Sequence, residues 1–123
     1  MPKLATGIDL IELERFQGAL ERHGDHFLNR IFTARELAET GENIASLAVR
    51  FSAKEAVTKA LGTGIGEITW HEIEILRQPG GAPVLHLHGR ANSLATEQGL
   101  LTWSISLSHT ITHAIAVVVA LGE

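Results

Sequence analysis

The residues best equipped for chemistry gather in one segment. Arg50, Lys54, Glu55 and Lys59 follow closely on one another, and Gly62-Thr63-Gly64-Ile65-Gly66 comes directly after them. Three cations, one acid and a flexible Gly-Thr-Gly loop could bind a phosphate ester through Mg²⁺, which takes few carboxylates and shares its shell with phosphate oxygens. The pattern is not a P-loop, because the spacing and the order of strand and loop are both wrong. A plainer reading competes with this one. At about 100° per residue, Ser52, Glu55 and Lys59 share one helix face. On that face Glu55 and Lys59 form an i, i+4 pair of roughly 0.2–0.5 kcal/mol, and the glycines are cap and loop residues.

Asp9 is an acid inside the apolar run Thr6-Gly7-Ile8-Asp9-Leu10-Ile11. Asp9-Leu10-Ile11-Glu12 has the form of a capping box, and residue physics alone favours that helix-start role over a ligand. His86 and His88 would share a strand face, where a metal pair is conceivable and a solvated face is the commoner outcome. His109 and His113 fall across a turn between strands and suggest no zinc site. Ser104, Ser106 and Ser108 read as a wet sheet face, with no Gly-x-Ser-x-Gly elbow beside them.

These residues need elements to hold them. Leu4 to Leu10 reads as a short strand broken by Gly7. A helical period starts at Leu10, continues through Leu13, Phe16 and Leu20, and is expected to stop at Gly24. Phe27 to Phe32 allows one or two helical turns. Thr33 as N-cap with Glu36 at N3 predicts a helix start there, with Phe32 and Leu37 as the hydrophobic staple. Ile44 to Leu61 contains no Gly or Pro and should be the longest helix. Its small residues Ala53, Ala56 and Ala60 fall on one face, suited to close packing on a sheet. The period then changes to two. Strands are predicted over Trp70–Leu76, Val84–His88 and Trp103–Leu107, with a short helix over Ala91–Gln98. Ala114–Leu121 is continuously apolar, as in a strand covered on both faces or one at an interface. The order implies one α+β domain over residues 1–123, a mainly antiparallel sheet packed against a long helix.

Composition removes several function classes. Ten Lys and Arg stand against fourteen Asp and Glu, a formal charge of −4, which disfavours a nucleic-acid binder built on bulk positive charge. There is no cysteine, hence no disulfide frame, thiol nucleophile or Cys-based metal site. No apolar run approaches the roughly 20 residues of a membrane-spanning helix, and Met1-Pro2-Lys3-Leu4 lacks the apolar h-region expected of a secretory leader. A cytoplasmic location is the default expectation.

The order of motifs goes further. Gly7-Ile8-Asp9-Leu10-Ile11 with Glu12 and Arg15, Arg30-Ile31-Phe32-Thr33-x-x-Glu36, and Arg50-Phe51-Ser52-Ala53-Lys54-Glu55-Ala56-x-x-Lys59-Ala60-Leu61-Gly62-Thr63-Gly64-Ile65-Gly66 resemble successive blocks of the holo-[acyl-carrier-protein] synthases, the small 4′-phosphopantetheinyl transferases. Gly81-x-Pro83 with Leu85, Leu87 and Gly89 is similar to the next block, though Ala82 stands where a lysine is common. Ser106-Leu107-Ser108-His109-Thr110 with Ala114 and Ala116 resembles the last. The blocks appear in family order over nearly the whole chain.

The resemblance implies the 4′-phosphopantetheinyl transferase fold and one reaction. A serine of apo acyl carrier protein receives 4′-phosphopantetheine from coenzyme A, and adenosine 3′,5′-bisphosphate leaves. Carried over by position, Asp9 and Glu55 would hold Mg²⁺, Glu55 would act as base, and Lys59 would neutralise phosphate charge. Arg50, Lys54, Gly62, Thr63, Gly64 and His109 would line coenzyme A. Arg15 and Arg22, on one helix face, would meet the carrier. The resemblance further implies a homotrimer with sites at subunit interfaces and a place in fatty-acid synthesis, without nucleic acid or membrane. The competing reading is a non-catalytic trimeric module that binds coenzyme A or a nucleotide.

Overall fold

The computed structural model describes residues 2–122. In chain order it forms β1 (Lys3–Glu12), α1 (Leu13–Ile31), α2 (Ala34–Thr40), α3 (Ile44–Leu61), a 3₁₀ turn (Trp70–Glu72), β2 (Ile73–Arg77), β3 (Pro83–Leu87), α4 (Gly89–Glu97), β4 (Thr102–His109) and β5 (His113–Gly122). The strands make two antiparallel sheets, one in the order β1-β5-β4 and a hairpin of β2 with β3. This is the expected α+β class, with the strands divided between two sheets.

Local chemistry sets the helix ends. Asn43 caps α3 by accepting the Ser46 N–H at 2.9 Å. At the other end Gly62 takes a left-handed conformation, φ +73°, that a side chain would resist. The expected capping box of α2 is present: Thr33 Oγ1 accepts the Glu36 N–H at 3.1 Å, and Glu36 Oε1 accepts the Thr33 N–H at 2.9 Å. α1 bends at Gly24, the predicted break, and helical turns resume beyond it.

Three expectations are corrected. β1 is neither broken at Gly7 nor replaced by helix at Leu10. It stays extended to Glu12, paired with β5 from Lys3↔Gly122 to Glu12↔His113. Asp9 therefore lies within a strand, and the capping box read at Asp9–Glu12 does not form. Ten residues of ladder outweigh a local helix signal. Trp70 to Glu72 is a 3₁₀ turn capped by Glu72, so the strand there begins at Ile73. The third concerns Ala114–Leu121, read as a strand covered on both faces or one at an interface: the outer side of β5 is bare in the single chain, which removes the first of these readings. Ala114, Ala116, Val118 and Ala120 are buried, while Val117, Val119 and Leu121 face outward beside Leu4, Ile8 and Leu10 of β1.

The core lies between α3 and the three-stranded sheet. Ala53, Ala56 and Val57 meet Ala116, Val118 and Ala120 with no exposed surface. The small residues predicted for close packing do that work. A second cluster joins Phe16, Phe32 and Leu47 and extends through Phe51 to Trp70, their rings 5.2 Å apart. No helix among the described residues is long and apolar enough to cross a membrane.

Candidate active site

The site begins with a backbone approach. A Cβ placed on Gly7 would stand 1.8 Å from the Ala56 carbonyl oxygen, so β1 and α3 touch where glycine leaves room. Asp9, two residues on, points to the same side of β1. There it meets the α3 face carrying Ser52, Glu55 and Lys59. Ser52 Oγ donates to the Asp9 carbonyl at 2.7 Å and lies 3.3 Å from Asp9 Oδ2. Lys59 Nζ donates to the Ile8 carbonyl at 2.9 Å and to Asp9 Oδ1 at 3.2 Å.

Lys59 thus pairs with Asp9 across the strand–helix contact. The i, i+4 pair with Glu55 expected from the sequence does not form among the described residues. The Glu55 carboxylate makes no hydrogen bond among them either. Partial burial pushes its pKa up, the Asp9 charge pushes it further, and Lys59 pulls it back only in part. Two neighbouring carboxylates from separate elements, one without a partner, suit an added hard cation.

An oxygen pair of this kind fits Mg²⁺, which is commonly held by one or two carboxylates and completes its shell with water and phosphate. No group of three or more metal-ligating side chains occurs among the described residues. The His86 and His88 pair is a further correction. His88 lies past β3 as the N-cap of α4, and its Nε2 is 3.0 Å from Glu74 Oε1.

Arg50 and Lys54 do not serve this surface. Lys54 has no exposed surface, and its ammonium bonds Glu36 Oε1 at 2.8 Å and the carbonyls of Trp70 and Ile73. Burial pushes the Lys54 pKa down despite the opposing pull of Glu36. Arg50 is equally enclosed and bonds the Ile75 carbonyl at 3.1 Å and Glu39 at 2.9 Å. Neither side chain can line a substrate without leaving the core, so the sequence expectation of two substrate cations fails. Local charge gave no warning, because the acids that neutralise them come from α2.

The remaining candidates divide by position. Gly62, Thr63 and Gly64 follow α3 directly, about 10 Å along its axis from Glu55. His109, at the end of β4, is two strand spacings from β1, about 10 Å, and its pairing row falls two residues from that of Asp9. The structure therefore does not bring His109 to Asp9 and Glu55 within one chain. It lines a separate depression with Leu13, Gln17 and Ile44. Arg15 and Arg22 both line a groove of about 780 Å³ between α1 and β1, floored by Phe16 and Phe51. That groove opens at Leu10 to Glu12, directly after Asp9. Ser52 is the contributor the sequence reading left unassigned. Its place on the Glu55 face was the available signal.

Comparison with known proteins decides the family. A family model described as the 4′-phosphopantetheinyl transferase superfamily matches residues 5–118. The chain belongs to that superfamily. The holo-[acyl-carrier-protein] synthase of Herpetosiphon aurantiacus is 44% identical over 126 residues, spanning 97% of this chain and 99% of that protein. The holo-[acyl-carrier-protein] synthase of Moorella thermoacetica is 48% identical, spanning 98% of this chain and 94% of its own length. Among solved transferases, the Helicobacter pylori holo-[acyl-carrier-protein] synthase in complex with coenzyme A superposes with a TM-score of 0.85 at 33% identity, over 94% of this chain and 98% of that one. The Neisseria meningitidis enzyme gives 0.86 at 35% identity, over 94% and 96%.

Proposed function

We propose that this phosphopantetheinyl transferase is a holo-[acyl-carrier-protein] synthase. It moves 4′-phosphopantetheine from coenzyme A to a serine of apo acyl carrier protein. The observation that carries the mechanism is the Asp9–Glu55 pair, set side by side by the Gly7–Ala56 contact and flanked by Lys59.

The serine hydroxyl attacks the β-phosphorus of coenzyme A. A new P–O bond forms, the bond to the departing adenosine 3′,5′-bisphosphate breaks, and the hydroxyl proton must go to a base. Glu55 suits that role, because its carboxylate faces the site without a hydrogen-bond partner among the described residues and has an oxygen free to accept the proton. Asp9 and Glu55 would hold Mg²⁺, which when bound neutralises pyrophosphate charge. Lys59, with half its side chain exposed, offers an ammonium to the phosphate oxygens. The Gly62-Thr63-Gly64 loop and His109 line coenzyme A in this reading, and Arg15 and Arg22 receive the carrier.

The bare sheet face supports a homotrimer. Leu4, Ile8 and Leu10 are more than half exposed, and Val117, Val119 and Leu121 continue the patch on β5. Such a patch on one small chain calls for a covering partner. Sites at subunit interfaces would also let His109 line coenzyme A despite its distance from Asp9 in its own chain. A carrier from fatty-acid synthesis in the cytoplasm completes the reading.

The test is intact-mass measurement of an apo acyl carrier protein after incubation with the chain, coenzyme A and Mg²⁺, with and without chelator. A Mg²⁺-dependent gain of one phosphopantetheine group is expected. No gain with any carrier, from folded protein that binds coenzyme A, would overturn the transferase reading in favour of a binding module.

A further inference from the structure

We propose that α4 braces the Gly62–Gly66 loop through Arg90, Glu67 and Gln98, and that this brace positions the loop for coenzyme A. The proposal rests on the function argued above.

The loop has little of its own to hold it. Its backbone ties are the Gly62 N–H to the Lys59 carbonyl at 3.2 Å, the Thr63 N–H to the Thr58 carbonyl at 3.0 Å and the Gly66 N–H to the Ile68 carbonyl at 2.9 Å, and Ile65 is its one side chain packed against the core. Three glycines leave it wide conformational freedom. A substrate that must order such a loop binds more weakly, because the ordering cost is charged against affinity.

Two independent contacts, one from Arg90 in the first turn of α4 and one from its C-cap Gln98, oppose that freedom. The Thr63 hydroxyl donates to Glu67 Oε2 at 2.8 Å, and Glu67 Oε1 accepts Arg90 Nη2 at 3.2 Å. Arg90 is itself fixed at both ends. Its Nη1 donates to Glu97 at 2.6 Å, and its backbone N–H donates to Glu72 at 2.6 Å. The Thr63 hydroxyl and the Arg90 guanidinium hold the Glu67 carboxyl below the usual carboxylate range, so it stays charged and able to accept both. Eight residues along from Arg90, the Gln98 amide donates to the Leu61 carbonyl at 2.8 Å. That carbonyl is among the last of α3, which have no partner inside the helix. α4 therefore grips the loop at its root and at Thr63. Glu55 stands on α3, whose last turn Gln98 holds, so the brace fixes the loop relative to it.

Exposed pairs are individually weak, and the expected effects are correspondingly modest. Glu67→Ala and Arg90→Ala should each raise the KM for coenzyme A by about 3- to 10-fold. The double variant should do no worse than the poorer single one, since both break the same chain of contacts. kcat and the KM for the carrier should stay within about twofold, and Arg90→Lys should recover most of the loss. Amide exchange across residues 62–66 should quicken in both alanine variants. Two results would overturn the proposal: an unchanged KM for coenzyme A, with or without quicker loop exchange, or a parallel fall in kcat and melting temperature. A wild-type chain that modifies no carrier sinks the preceding reading. Inert variants of an active wild type sink only this one.

Discussion

Gly7 of β1 and Ala56 of α3 meet so closely that one added methyl group would fall 1.8 Å from the Ala56 carbonyl oxygen. This contact sets the spacing between the strand that carries Asp9 and the helix that carries Glu55. Neither side chain could reach the other's neighbourhood if a side chain stood at position 7.

Gly7→Ala should therefore injure stability and site together. The obstructing atom is backbone, so relief requires moving α3 away from the sheet. Overpacking of this sort costs about 1–3 kcal/mol or more. Urea unfolding should show a loss at the upper end of that range, and calorimetry should show weakened Mg²⁺ binding in the protein that still folds. A variant of unchanged stability would mean that the strand and helix are less tightly set than the structure indicates.

Lys54 offers the sharpest contrast between a sequence expectation and the structure. As a substrate cation, its loss would raise the KM for coenzyme A and spare the fold. As the buried partner of Glu36, its loss strands a carboxylate in the core. Lys54→Ala should then cost about 3–5 kcal/mol, and Lys54→Met with Glu36→Gln should recover part of it. Thermal or denaturant unfolding of the two variants beside the wild type decides between the roles.

The difference between Lys54 and its neighbour shows where the sequence is legible. Adjacent helix residues point about 100° apart, so Lys54 enters the core while Glu55 faces β1. The small-residue face of α3 was readable from spacing alone, and so was the α2 cap at Thr33 and Glu36. The second task of Glu36 was not readable. Its other oxygen accepts the Ile75 N–H, 39 residues on, at 2.8 Å, and its partner Lys54 arrives from the next helix, 18 residues on. Asp9 was misread for the opposite reason. Its local pattern fits a cap, and only pairing with β5, at the far end of the chain, keeps it extended. Motif order singled out Asp9 together with Glu55 and Lys59, which local spacing could not join and which β1 and α3 bring to one place.

Glu55 gives a pH prediction of definite sign. Its folded pKa is raised, so the native state holds a proton that the unfolded state has released. The contribution of Glu55 to metal-free stability should fall as pH rises from the ordinary glutamate range near 4.5 through the raised value, and then level off, against the opposite slope of Glu67, Glu72 and Glu74, whose pKa values are lowered. Glu55→Gln should remove that fall and gain less than about 1 kcal/mol at neutral pH, since the group is partly solvated. The same variant should lose carrier modification by at least about 100-fold, as removal of a general base does. Unfolding curves in chelator across pH 4 to 8, alongside turnover, check both halves. A variant with near-normal turnover would remove Glu55 from the role of base.

Arg22→Glu tests the carrier groove. The chain carries a formal charge of −4, so a carrier of like charge would not be drawn by its overall charge and would need local cations. Reversing Arg22 should raise the KM for the carrier about 10-fold, with the effect shrinking at high salt, and should leave the KM for coenzyme A unchanged. Arg15→Glu should do less, because Arg15 stands within 4.0 Å of Glu12 and part of its charge is answered there. Equal effects on both substrates would place these arginines outside carrier docking.

Val117→Glu tests the assembly. Val117 sits on the outward face of β5, opposite Ile8 of β1 and Ser106 of β4, with little more than a third of its surface exposed. In a lone chain a charge there should be tolerated within about 0.5 kcal/mol. Against a second copy it would be buried without a partner, at a cost large enough to hold the subunits apart. Sedimentation should then show trimers for the wild type and monomers for Val117→Glu. Turnover should fall with the trimer, because His109 and Asp9 are remote within one chain. A monomeric wild type with full activity would place every needed group on one subunit and leave the bare face to some other partner.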